Sequence, residues 1–186
     1  MQTHGGESDA GVYNEGFTEA LIKLRQQGKV RFRGASINNV HAGLQACEKQ
    51  EVDMLQITYN MLSYKKVIPL LDAAQNNNVG IVTRKPLQRG VLTGKYSSLD
   101  DVPSDARALI EKKSIENQIE SVNMLKKHLN VSSQRLIEIA LHYPLIHPAV
   151  SCVIFGFRNE KQLIENIQAA YKSLISQEEL DIIKQY

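Results

Sequence analysis

The apolar residues of this chain recur with two periods that take turns along the sequence. Phe17, Ala20, Leu21 and Leu24 are spaced for one face of a helix, and Gly28, followed by Lys29 and Arg31, stops it. Lys29 to Ser36 then alternates polar with apolar. It closes in Ser36, Asn38 and Asn39, residues suited to ending a strand and capping the next helix, which carries Val40, Leu44 and Cys47. The unit repeats: Met54 to Tyr59 reads as strand, Val67 to Ala74 as helix and Val79 to Thr83 as strand. These strands lie about 25 residues apart, the scale of a strand–helix unit, because parallel neighbours need a crossover of a dozen residues or more.

After Pro86 the alternation stops. Gly90, Gly94, Ser97, Ser98, Asp100, Asp101 and Pro103 describe a long polar loop of the kind that covers a site. Helices resume beyond it. Ser132 and Ser133 can cap a helix with Leu136, Ile139, Ala140 and Tyr143 on one face and Pro144 at its end. Val150 to Phe155 is a fourth strand, and Gly156 to Asn159 leads into a helix with Leu163, Ile164 and Ile167 inward. A short helix around Leu180 and Ile183 follows. The pattern predicts one α/β domain with parallel strands and flanking helices.

Composition changes this picture by exclusion. With 42% hydrophobic and 23% charged residues among 186, the chain is neither disordered nor fibrous. The 22 Lys and Arg against 20 Asp and Glu give a net charge of +2 with both signs spread along the chain, which disfavours nucleic acid as a partner. No apolar run approaches the roughly 18–20 residues of a membrane span, and the first six residues lack the basic and apolar regions of a signal peptide, so a cytoplasmic protein is expected. Cys47 and Cys152 lie far apart with no Cys-x-x-Cys or Cys/His spacing and are read as reduced thiols. His41, His128, His142 and His147 show no ligand spacing, so no metal site is expected.

In a parallel α/β sheet, ligands collect at the carboxyl ends of the strands. Here those ends are Ser36, Gln56 to Asn60, Arg84 to Gln88, and Gly156 to Asn159. Gly156 lets a backbone approach a ligand closely, and the helix after it offers free N–H groups and a positive dipole end to a phosphate, with Arg158 adding charge. Gln162, Glu165 and Asn166 make a polar stripe on that helix, which by spacing alone is a solvated face.

Four segments, in order, carry a resemblance: Gly28-Lys-Val-Arg-Phe-Arg-Gly-Ala-Ser36, Gln56-Ile-Thr-Tyr-Asn-Met-Leu62, Pro86-Leu-Gln-Arg-Gly-Val-Leu-Thr-Gly-Lys-Tyr96, and Val153-Ile-Phe-Gly-Phe-Arg-Asn-Glu-Lys-Gln-Leu-Ile-Glu-Asn166. Together they resemble the aldo-keto reductases, and they correspond to the C-terminal part of that family's barrel. The resemblance implies a partial (β/α)8 TIM barrel, since 186 residues fall short of the roughly 250 typical of the closed form. It also implies an NADP(H)-dependent oxidoreductase that moves a hydride to or from a small-molecule carbonyl or alcohol.

Residue by residue, the resemblance places Ser36 and Gln56 on the nicotinamide carboxamide, with Asn38 as a substitute for the Asn that often follows the serine in the family, where Ile37 stands here. Arg84 falls where many members stack an aromatic on the nicotinamide ring. Lys85, Pro86, Leu87 and Gln88 match the loop around the pyrophosphate, and Lys95 a further phosphate contact. Gly156, Arg158 and Gln162 match the adenosine phosphates, and Glu165 and Asn166 match adenine contacts. His4 matches the substrate-orienting histidine of an Asp, Tyr, Lys and His catalytic set, of which the other three positions fall upstream of it in the family. Tyr13 and Tyr59 do not match the proton-donating tyrosine and are read as packing or surface residues.

The chain is therefore expected to be a single truncated oxidoreductase domain over residues 1–186, or alternatively a catalytically inactive nicotinamide-nucleotide-binding or interaction module. Four strands leave two open sheet edges, which a second copy of the chain could cover.

Overall fold

A computed structural model describes residues 2–4, 15–50, 52–104, 112–172 and 174–186, with the backbone alone for 2–4, 15 and 17. Tyr13 and the side chains of His4 and Phe17 lie outside the described residues. The chain divides into two compact units: Met1–Tyr59 with Ser63–Arg84 and Leu145–Ile154, and Asn60–Leu62 with Lys85–Pro144 and Phe155–Tyr186.

Among the described residues, the first unit is a five-stranded parallel sheet with three helices. Its strands are β1 (Gln2–His4), β2 (Gly34–Ser36), β3 (Met54–Thr58), β4 (Gly80–Arg84) and β5 (Val150–Ile154), paired in that order. The helices are α1 (Glu15–Gln26), α2 (Val40–Glu48) and α3 (Tyr64–Asn76). Asn39 caps α2 by accepting from the His41 N–H at 2.9 Å, the role its place after the strand suggests.

Two features go beyond the sequence pattern. β1 is a fifth strand, and three residues are too few to show a period. β2 is shorter than the alternation from Lys29 implies, because Phe32 is 60% exposed and only Gly34 to Ser36 reach the ladder.

β3 and β4 alternate half-buried and buried positions. Leu55, Ile57 and Ile81 face the core with Ile37, Leu70 and Leu71, whereas Gln56, Thr58, Val82 and Arg84 lie on the opposite, half-buried face. Register runs straight across this second face, pairing His4 with Ser36, Ser36 with Gln56, Gln56 with Val82 and Val82 with Cys152. An irregularity between Ile81 and Val82 lets β5 keep step with β4 from Cys152 onward.

The second unit is helical. It holds 3-10 turns at Gln88–Thr93 and Leu99–Asp101, then α4 (Lys112–Leu129), α5 (Ser133–His142), α6 (Glu160–Ala170) and α7 (Gln177–Lys184). The segment expected to be a polar covering loop is irregular over 94–98 and 102–103 and otherwise wound into these turns, with Val91 and Leu92 buried. α4, which follows that segment, buries Ile115, Ile119, Val122, Leu125 and Leu129 along one stripe.

α6 turns a different face inward from the one its apolar residues suggest. Asn166 and Ala169 are buried, while Ile164 and Ile167 are 46% and 42% exposed. Ala169 packs against Ile137 and Leu141 of α5, and its small side chain permits that approach.

Arg135 of α5 ties the C-terminus down. It grips Glu179 of α7 with two bonds of 2.9 and 2.8 Å, donates to the Leu174 carbonyl at 3.1 Å and reaches Glu138 at 3.3 Å. α7 also carries a capping box between Ser176 and Glu179.

Adding a Cβ at Gly34 would place it on the Met54 thioether and 2.8 Å from the Met54 carbonyl oxygen. Gly34→Ala should therefore lower stability by about 1–3 kcal/mol in urea denaturation. Arg135 and the Ser176 N–H hold the Glu179 carboxyl below its ordinary range, chiefly through the Arg135 hydrogen bonds. Because the folded value is the lower one, its contribution is complete above the unfolded carboxylate range near about 4.3 and disappears as pH falls through the depressed folded value. Glu179→Gln should cost about 1–2 kcal/mol at pH 7, and the gap from the parent should close in acid, as read by denaturation at a series of pH values.

Candidate active site

Three candidate residues stand together on the half-buried face of the first unit. The Ser36 hydroxyl donates to the Gln56 side-chain oxygen at 3.3 Å, bridging neighbouring strands at the same register, and the Ile37 N–H donates to the Gln56 carbonyl at 2.9 Å. One row further along, the Arg84 Nη2 donates to the Ile37 carbonyl at 2.8 Å and to Asn38 Oδ1 at 2.6 Å.

Ile37 is fully buried. An asparagine at 37 would put an amide in the core, and the following Asn38 has instead become the support of Arg84. The backbone of His4 lies in register with Ser36.

In the second unit, the segment after β4 is wound tightly. Lys85, Gln88 and Arg89 have φ of 58°, 44° and 55°, followed by Gly90 at 95°. Pro86 is buried, and Leu87 packs on the cluster of Ile137, Leu141 and Ala169. The Gln88 amide points into the protein, accepting from Asn60 Nδ2 at 3.0 Å and donating to Gln118 at 3.2 Å. Lys95 is exposed, just after the Gly94 carbonyl, which is fixed by Lys126 Nζ at 3.1 Å and the Ser133 hydroxyl at 2.9 Å.

The turn before α6 is braced from the helix itself. Asn159 caps it by accepting from the Gln162 N–H at 3.0 Å, and Gln162 accepts from the Arg158 N–H at 2.9 Å. Asn166, 6% exposed, reaches back to the Gly156 carbonyl at 3.5 Å. Of the expected polar stripe, Gln162 is exposed and Glu165 half-buried, as on a solvated face, while Asn166 is buried; Gln162 and Asn166 also brace this turn, and Glu165 pairs with Lys161 at 3.9 Å. A Cβ at Gly156 would meet no atom within 4 Å, so packing among the described residues does not demand glycine there.

Elsewhere the functional chemistry is sparse. Tyr59 is buried at 2% exposure, as a packing residue should be. Cys47 and Cys152 are free thiols, and burial pushes the Cys47 thiol up to about 11. Among the described residues no three His, Cys, Asp or Glu side chains gather as a metal would need, and no helix is long and apolar enough to cross a membrane. Sequence reasoning marks Asn60 only as a strand-end position, not as the residue that holds the 85–88 segment, and it does not mark Gln118, the partner of Gln88.

Comparison with known proteins gives the class. The Aldo/keto reductase family model matches residues 7–186, and the chain belongs to that family. Members are oxidoreductases that generally use NAD(H) or NADP(H) on small carbonyl compounds. Among curated relatives, the L-glyceraldehyde 3-phosphate reductase of Escherichia coli O157:H7 is 31% identical over 182 residues, covering 90% of this chain and 52% of that protein. The aldo-keto reductase str7 of Strobilurus tenacellus is 34% identical over 166 residues, covering 86% of this chain and 49% of that protein.

The aldo-keto reductase AKR11C1 from Bacillus halodurans, in its holo form, superposes with a TM-score of 0.75 at 24% identity, over 99% of this chain and 59% of that one. The chain thus spans about half the length of these curated relatives, and its fold is the α/β, parallel-stranded architecture of part of a (β/α)8 barrel.

Proposed function

We propose that this chain is the nicotinamide-nucleotide-binding part of an NADP(H)-dependent aldo-keto reductase, acting on a carbonyl or alcohol substrate. The observation that carries the reading is the Ser36–Gln56 pair, held in register on neighbouring strands at 3.3 Å. A primary carboxamide needs both a donor and an acceptor opposite it, and a hydroxyl beside a glutamine amide offers both. A bound nicotinamide nucleotide supplies or accepts the hydride.

In the first unit Arg84 offers a flat cation held by Ile37 and Asn38 for the ring; in the second the backbone of Lys85 to Gln88 would hold the pyrophosphate, with Lys95 adding a charge. Gly156 leaves open space beside a helix N-terminus for the adenosine phosphates, where Arg158 adds charge and Gln162 fixes the turn. Glu165 and Asn166 flank the adenine. His4 orients the substrate. The proton donor of the reaction is not among these residues, so binding and turnover are separate measurements.

NADPH titrated by fluorescence should saturate the chain. Gln56→Ala should weaken NADPH and NADH alike, whereas Arg158→Ala should weaken NADPH about tenfold and NADH much less, because only NADPH carries the extra phosphate. No saturation up to millimolar NADPH would overturn the reading. Binding without reduction of a generic aldehyde would favour the non-catalytic module.

A further inference from the structure

We propose that Asn60 is a positioning residue whose single amide holds the 85–89 segment in its ligand-ready conformation; this rests on the proposed nicotinamide-nucleotide reading. Asn60 is 1% exposed. Its nitrogen donates to the Lys85 carbonyl at 2.9 Å and to Gln88 Oε1 at 3.0 Å, and its oxygen accepts from the Leu62 N–H at 3.0 Å. One side chain therefore grips both ends of the tetrapeptide from Lys85 to Gln88.

That grip acts where the backbone needs it. Among the described residues six non-glycine positions have positive φ. Gln50, Asn78 and Asn130 lie within two residues of the ends of α2, α3 and α4, where a left-handed residue commonly terminates a helix. Lys85, Gln88 and Arg89 follow a strand, have no such excuse, and crowd into five residues. Left-handed backbone of this kind persists only where its surroundings over-determine it. Asn60 is the buried anchor, and the line continues outward, Gln88 Nε2 donating to Gln118 at 3.2 Å and Gln118 Nε2 to the Ser114 hydroxyl at 3.1 Å.

The Gln88 amide is engaged by Asn60 and Gln118, so what Asn60 sets for a phosphate is the backbone geometry of the segment. Gln118 and Ser114 also line a cavity of about 420 Å³, so shortening Gln118 enlarges existing open space and creates no new void in the core.

The test uses Asn60→Asp, which keeps the volume and the acceptor for Leu62 but turns a carboxylate oxygen toward two acceptors, and Gln118→Ala as a milder second variant. Ligands are NADPH and adenosine 2′-monophosphate, which lacks the pyrophosphate. Asn60→Asp should weaken NADPH about tenfold or more, leave adenosine 2′-monophosphate within about twofold, and speed trypsin cleavage after Arg89; Gln118→Ala should do the same to a lesser degree.

Equal loss of both ligands would make Asn60 merely structural and overturn the proposal, as would unchanged NADPH affinity. If the parent chain binds no NADPH, the proposed function has failed, and the cleavage assay still judges the clamp: an unchanged rate after Arg89 in both variants overturns it.

Discussion

The candidate site depends first on the in-register parallel pairing of the sheet. Parallel strands joined by crossovers bring their carboxyl ends to one edge, and straight register then lines up His4, Ser36, Gln56, Val82 and Cys152 on successive strands. A slip of one residue in β2 would send Ser36 into the core and Ile37 onto the open face, so the apolar burial of Ile37, Leu55 and Ile81 is what keeps the polar pair where it is. Hydrophobic patterning and polar chemistry are two faces of one constraint.

The second unit solves a different problem. Its candidate phosphate-binding segments are irregular backbone, so it fixes them with side chains: Asn60 on Lys85 and Gln88, Lys126 and Ser133 on Gly94, Gln162 and Asn166 on the turn from 156 to 159. Most of these are hydrogen bonds to backbone groups, which would otherwise be costly to leave unsatisfied near the interior. The Arg135–Glu179 pair performs the same service on a larger scale, attaching α7 to α5.

How much of this the sequence discloses varies with the physics involved. Strand–helix alternation is legible because period and punctuation are local, and Ser36 ends β2 where that pattern puts a strand end, whereas Gln56 sits in the middle of β3. The inward face of α6 is not legible. Its sequence offers an apolar stripe through Ile164 and Ile167, yet close approach to α5 selects Ala169, and the turn at Gly156 claims Asn166. Gln118, and the partners of Asn38 and Asn60, escape for a related reason: each bond reaches a partner 28 to 46 residues away, and no short spacing encodes such a pairing.

The crowding of left-handed residues after β4 also bears on how this protein would respond to selection. Glycine at 85, 88 or 89 would relieve backbone energy of about 1 kcal/mol per position in the folded state, offset in part by greater freedom in the unfolded chain. Variants enriched for heat resistance alone would drift toward flexible glycine in the stretch that the proposed ligand needs rigid, so robustness and recognition pull this short segment in opposite directions.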